Sequence, residues 1–532
     1  AASDVYKRQA VVEFRGEYYM FVTRSWGYWH SKDLLNWDFI TPEKWYFEGC
    51  NAPAAHNYKD SVLYVCGNPS GAMSILYTDN PKRGDWKAVP SVLHDLQDPA
   101  LFIDDDERAY MYWGSSNRWP IRGKELDMKN KFLPIAKKPD SLLFLRPDIH
   151  GWERFGENHT SDIKPFIEGA WMTKHNGKYY LQYAAPGTQF NVYGDGVYVG
   201  KSPLGPFEYA AHNPFCYKPG GFATGAGHGS TVCGPGGIYW HFGTIHLSIN
   251  YKFERRLCMF PTFFDEDGAM YSDTYFGDYP HYSPDQVSRQ TTSGGFRGWM
   301  LLSYGKPVKA SSQLESYPVE NVTDENLKTF WVAEKNDDKQ WVEIDLEEVS
   351  DVYALQLNFF DYEETGFWGR MPNLRQRYLV EASVDGARWR VLVDYRNSFR
   401  DAPHNYIELD QPIEARYIRY RHHYVPGKNL AMGDIRVFGL GRGKKPATVK
   451  GFTVVREADE RNARISWKSV KGAQGYNVLW GVAPDKLYSS WMVYGDNSLD
   501  LRALTVGQKY YFAIESFNEN GISQRVFLRE AH

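Results

Sequence analysis

Cysteine is scarce in this chain, with five in 532 residues. Cys50, Cys66, Cys216, Cys233 and Cys258 are scattered and form no CxxC pair. That spacing argues against a disulfide framework or a zinc cluster and predicts buried thiols. Long apolar runs are also missing: none approaches the ~20 residues that a membrane-spanning helix needs. The formal net charge is only −4, and no Lys/Arg cluster is interleaved with aromatics, which excludes nucleic acid as a partner. Helical periodicity is nearly absent before residue 290. No signal peptide is visible. The opening AASDVYKRQ supplies nothing that the strand after it would want, so residues 1–9 are read as a non-native leader and set aside.

Aromatic residues, by contrast, are plentiful: 16% of the chain, with 18 Trp and 38 Tyr. Such a load suits strand-rich cores. It also suits sugar binding, where a ring face covers a pyranose or furanose. The length is too great for one core, and three domains are expected.

Five segments repeat one pattern: GEYYMFVT at 16, DSVLYVCG at 60, ERAYMYWG at 107, GKYYLQYA at 177 and GGIYWHFG at 236. Each follows a polar turn, and each turn follows another apolar stretch, so each is a hairpin. Most continue through a Ser/Thr turn into a further strand opened by an aromatic. The unit is a four-stranded antiparallel meander. Repeated four-stranded sheets close radially, which predicts a five-bladed β-propeller over residues 10–289. The fold class is all-β throughout.

In such a ring the first strand of each blade lines the axis, and its leading residue faces the axial cavity. Nine positions before each repeat stand Asn51, Asp98 and Glu168, with His228 one step later in the fifth. The same count in the first repeat reaches Lys7 or Arg8. Two carboxylates at one register should converge, and paired carboxylates do acid/base work on glycosidic bonds. Asp98 alone would read equally well as a turn initiator in its Asp-Pro pair.

On these residues the first 285 positions resemble glycoside hydrolase family 43. The resemblance implies an inverting hydrolase of arabinose- or xylose-containing plant polysaccharide, an exo-acting α-L-arabinofuranosidase or β-xylosidase. It implies Glu168 in IEGAWM as general acid, and Asp98 in QDPALF as the group that raises the acid's pKa and orients it. His228 in GAGHGSTV matches a histidine facing a central Ca²⁺ or water cluster, and Arg255 matches an arginine that reaches substrate. The family's general base would stand at position 8, where this chain has Arg8. The chain as written is therefore expected to bind glycan and hydrolyse it poorly. Asn51 replaces a frequent Trp and bears on which sugar is bound. Trp26, Trp29 and Trp171 fall near the channel mouth by repeat position, Trp29 and Trp171 being taken as substrate contacts. His246 is a further pocket candidate. No cofactor is required for the chemistry. A glycan is the partner, and the resemblance implies a secreted or periplasmic location. A non-catalytic glycan-binding propeller and a related hydrolase of β-galactan are the competing readings.

After a small polar linker, residues 303–440 resemble a discoidin (coagulation factor 5/8 type C) jelly roll. Members often hold a structural Ca²⁺, which here would use Asn321, Asp324, Asn326 and Asp434. The usual Gly after the Asp is Glu325. Trp331 and Trp341 are expected in its core, and Trp368 in a polar insertion could meet glycan or the propeller. Residues 447–532 resemble a fibronectin type III sandwich, with Trp467, Tyr476 and a tyrosine-corner spacing of Leu504 and Tyr510. It is expected to be a spacer.

Overall fold

A computed structural model describes the chain except residues 1–8, 24, 45–50, 69–71, 92, 95, 137, 247–254, 288–294, 361, 364–374 and 530–532. Arg8, Cys50 and Trp368 lie outside the described residues. No helix among the described residues is long and apolar enough to cross a membrane.

Five antiparallel sheets follow one another along residues 9–40, 51–88, 100–143, 168–209 and 224–272. They are called here the first to fifth sheets. In each the strands pair in chain order; the third adds a fifth strand, Asp140–Leu143. The opening hairpins turn on adjacent residues with positive φ: Arg15–Gly16, Lys59–Asp60, Asn176–Gly177 and Gly236–Gly237. Paired left-handed residues make the tight turn whose twist matches that of the flanking strands.

The leading strands are Gln9–Phe14, Asn51–Tyr58, Ala100–Ile103, Glu168–His175 and Thr224–Cys233. Each contacts the next, and the fifth contacts the first, so they close a ring. The closure is hydrogen bonded: Val11 N–H donates to Ser230 Oγ at 3.0 Å and Gln9 Nε2 to the Phe242 carbonyl at 2.7 Å. Gln9, assigned above to the leader, is thus a buried strand residue paired with Val22. Apolar clusters fill the wedges between sheets. Phe21, Tyr28 and Trp86 pack between the first two, and Val11, Met20, Trp29 and Trp240 between the first and fifth.

An eight-stranded sheet system spans 300–440, its long strand Trp341–Phe359 pairing with both His404–Tyr424 and Ala431–Leu440. It reaches back to Met300–Leu301, just before the expected start. Trp331 is fully buried there, while Trp341 is half-buried. The last segment forms two sheets, one from 450–456, 463–468 and 498–501, the other from 475–481, 489–494, 511–518, 521–522 and 526–529. Trp467 packs on Tyr476 at 5.1 Å, and Tyr510 Oη accepts the Thr505 N–H.

This last unit is no spacer. Its apolar interior is continuous with that of the third and fourth sheets. The loop 146–162 threads between them: Gly151 N–H donates to the Leu504 carbonyl, and Val506 N–H to that of Ile149. Arg154 donates to Asn462 Oδ1 and the Arg502 carbonyl, each at 2.6 Å. Tyr488 stacks on Tyr271 at 3.7 Å, and Lys486 pairs with Asp265. The expectation failed because periodicity marks an apolar face without saying what covers it. Of the cysteines, Cys66 and Cys216 are buried, but Cys233 is exposed at the end of its strand.

Candidate active site

Asp98, Glu168 and His228 meet at one end of the ring axis, with ligand atoms all within 4.8 Å of one another. Glu168 opens its leading strand and Asp98 stands two residues before one, while His228 is the fifth residue of Thr224–Cys233, where that strand's pairing with the next is interrupted. His228 spans the two acids: Nε2 lies 3.9 Å from Asp98 Oδ2, and Nδ1 lies 3.7 Å from Glu168 Oε1. Asp98 and His228 are buried and Glu168 is half-buried.

Backbone geometry creates this convergence. Asp98 and His228 both adopt left-handed conformations, φ 51° and 59°. That conformation is uncommon outside glycine and persists only when surrounding structure holds it. Asp195 holds the second case: its Oδ1 accepts the His228 N–H at 2.7 Å and its Oδ2 the Gly229 N–H at 2.8 Å. His241 Nε2 lies 2.9 Å from Asp195 Oδ2. Gly169, directly after the acid, adopts φ 71° and would place a Cβ 3.0 Å from the His228 ring, so a side chain there would be strained.

Glu168 accepts two side-chain hydrogen bonds, from Tyr193 Oη to Oε1 and from Ser115 Oγ to Oε2, the latter at 3.0 Å. Ser116, next in the chain, exchanges both backbone hydrogen bonds with Ile167, just before the acid. Tyr193, Ser115, Asp195 and His241 were not singled out from sequence. Tyr193 and Asp195 sit in NVYGDGVYV, whose only sequence signal is a glycine-flanked Asp opening a strand.

The remaining expected residues divide. Asn51 opens the second leading strand on the same rim and is half-buried. Trp29 is corrected: it is 7% exposed, on a third strand, and stacks edge-on against Phe39 at 4.9 Å. It faces a cavity of about 610 Å³ at the seam with the 300–440 unit, lined also by Phe222, Tyr279 and Arg436 and by neither acid. A third strand lies two strand spacings out from the axial strand of its sheet, so repeat position alone misplaced it. The Trp171 indole N–H donates to the Thr231 carbonyl at 3.2 Å, and its half-buried ring packs on two apolar clusters. His246 and Arg255 pair with each other through their backbones in the fifth sheet; their side chains lie outside the described residues.

One nitrogen and two carboxylates do not suit a Ca²⁺ ion, which takes six to eight oxygen ligands. The donor set at His228 therefore does not support direct calcium ligation. The 321–326 loop fits better. Asp434 is fully buried with Oδ2 unpartnered, while Oδ1 accepts the Glu325 N–H at 2.7 Å. Burial, then the charges of Glu325 and Asp324, push its carboxyl far above the usual range. Asp324 is raised as well, chiefly by burial. Asp324 and Asp434 could hold a hard cation, which would relieve both, with Asn321 and Asn326 beside them. Glu325 adopts φ 59°, the conformation glycine favours. Its carboxylate is committed to Arg436 at 2.6 Å, both groups 1% exposed.

The profile of the Glycosyl hydrolases family 43 matches residues 3–270, and that of the F5/8 type C domain matches residues 307–432. A β-xylosidase of Xylanibacter ruminicola is 33% identical over 202 residues, 34% of this chain and 57% of that protein. An arabinoxylan arabinofuranohydrolase of Bacillus subtilis is 30% identical over 189 residues, 31% of this chain and 34% of that protein. The chain thus spans about half or less of the length of these curated relatives. The family-43 protein BlXynB of Bacillus licheniformis aligns at TM-score 0.42 and 13% identity, covering 100% of this chain and 87% of that structure. With the family-43 profile covering half of the sequence and the 98–168–228 cluster inside it, the chain belongs to glycosyl hydrolase family 43.

Proposed function

We propose that this protein is an inverting glycoside hydrolase of arabinose- or xylose-containing polysaccharide, an α-L-arabinofuranosidase or β-xylosidase acting at chain ends or branches. The observation that carries the reading is the meeting of Glu168 and Asp98 across His228 at the head of the ring. We read the five sheets as the blades of a propeller over 10–289, 303–440 as the discoidin-like unit and 447–532 as a fibronectin type III sandwich, in a secreted or periplasmic protein.

Glu168 delivers a proton to the leaving oxygen. Asp98 is not the water-activating partner. An inverting pair stands ~6.5–9.5 Å apart to admit water, whereas these oxygens lie within 4.8 Å with an imidazole spanning them. That base belongs at the head of the first leading strand, at position 8. A chain with Arg8 there favours a second reading for the sequence as written: glycan binding without efficient turnover.

The test compares turnover of aryl arabinofuranoside, aryl xyloside and aryl galactoside before and after Arg8→Asp. A large gain on a pentoside supports the assignment; equal, robust activity in both forms refutes it. Gain only on the galactoside moves the substrate to galactan.

A further inference from the structure

Among the described residues, the exposed tryptophans are Trp26 and Trp119, 54% and 63% accessible. Tryptophan is highly buried on average, so two left open on one protein ask for a reason. Their placement gives one. In each sheet the end of the second strand pairs with the head of the first: Gln9 with Val22, Ala100 with Tyr112, Glu168 with Ala184. The loop from second to third strand therefore returns to the rim where Asp98 and Glu168 stand. Trp26 lies on that loop in the first sheet, between Val22 and Tyr28, and Trp119 on the same loop in the third, between Trp113 and Ile121.

Both loops are braced so that the rings stay outside. Ser25 Oγ donates to the Val22 carbonyl at 2.7 Å and closes the first turn. Ser116 Oγ accepts the N–H groups of Arg118 and Trp119 at 2.9 and 3.1 Å. Ser116 is itself locked to Ile167, and Ser115 to the acid, so Trp119 is tied to Glu168 through three residues. The Arg122 guanidinium sits 5.3 Å from the Trp119 ring centroid, a cation–π contact.

We infer that Trp26 and Trp119 are two stacking platforms that carry the main chain of a polysaccharide across the mouth of the axial pocket, so that a branch sugar enters it. The two stand two sheets apart around the ring. A substrate ending in the pocket would leave it in one direction and use one platform. A chain held on both must pass over the mouth, and the residue reaching the acids is then a side branch. The inference rests on the glycosidase reading only for the class of polymer.

The test uses the full chain with Trp26→Ala, Trp119→Ala, the double variant and Trp119→Phe. Affinity electrophoresis is run in soluble arabinoxylan, in the same polymer stripped of its arabinose, and in linear arabinan; calorimetry uses free arabinose and xylose. Each alanine should weaken arabinoxylan retention about three- to ten-fold, the worth of one aromatic contact. The double variant should lose more, and Trp119→Phe should keep most of the affinity. Pentose binding and thermal unfolding should not move, since both rings are exposed. Arabinoxylan should bind more tightly than its stripped form. Unchanged retention in the double variant, or parallel loss of polymer and pentose binding, overturns the inference. Equal binding of stripped polymer or tighter binding of arabinan overturns the branch assignment. Glu168→Gln in the Arg8→Asp background serves as the separate control: turnover unchanged by it defeats the hydrolase reading and leaves the retention result standing.

Discussion

The carboxylate of Asp195 accepts the backbone N–H of His228 at 2.7 Å, and that bond holds the left-handed turn that carries the imidazole between Glu168 and Asp98. Asp195 is fully buried, and its other oxygen serves Gly229. Asp195→Asn keeps one acceptor but turns an N–H toward Gly229. It should cost about 1.5–3 kcal/mol, the worth of a charge-assisted hydrogen bond. The midpoint of denaturant unfolding measures this, and an unchanged midpoint would show that the turn is held by something else.

In the Arg8→Asp background, Glu168→Gln should slow hydrolysis of unactivated oligosaccharides about 100-fold or more, the usual worth of a positioned acid. Aryl glycosides with good leaving groups should lose much less, because their departure needs little proton transfer. Equal losses on both would remove Glu168 as proton donor.

Glu153 is a buried carboxyl that accepts from Tyr183 Oη and the Arg146 N–H, and burial raises its pKa to about 8. The unfolded chain releases this proton near the ordinary glutamate value, while the folded one keeps it. Stability from this group is therefore complete below that value and falls as pH rises toward 8. Glu153→Gln should flatten that fall: its amide can donate to Tyr183 while its carbonyl accepts from Arg146. Melting temperatures of wild type and variant should coincide near pH 5, with the variant higher at pH 8.5. Parallel curves would place the pH dependence elsewhere.

Removing residues 447–532 should expose Trp152, Tyr209 and Tyr217, which lie against the last unit through Gly151, Thr505 and Trp480. The shortened chain should lose solubility and melt at lower temperature. Arg154→Ala, which removes the donors to Asn462 and Arg502, should destabilise in the same direction by a smaller amount. A truncated chain as soluble and stable as the whole would restore the spacer role.

A hard cation at Asp324 and Asp434 should raise the melting of the 300–440 unit. Chelation should lower it, and added Ca²⁺ should restore it. Asp434→Asn should melt the same with and without chelator. A transition that ignores chelation in the wild type removes the site.

The repeat, and the register that lines up Asp98, Glu168 and His228, could be read directly, because a hairpin turn and a period-two strand leave their pattern in consecutive residues. Burial in the last two units was legible for the same reason at Trp331, Trp467 and Tyr510. Trp29 was misplaced because a tryptophan in a wedge between sheets and one facing the axis have the same local sequence. Asp195, His241 and Tyr193 were not legible: they act on residues 25 to 46 positions away in the chain.

The sequence by itself determined that five strand meanders follow one another and that two acids share a register, since both are properties of neighbouring residues. Tertiary structure alone decided what surrounds those acids. The buried Asp195 that bends the His228 turn is brought there by ring closure, and the last unit is fused to the ring through the 146–162 loop. Closure brings distant segments within hydrogen-bonding reach, and a linear pattern carries no record of which side chains will meet.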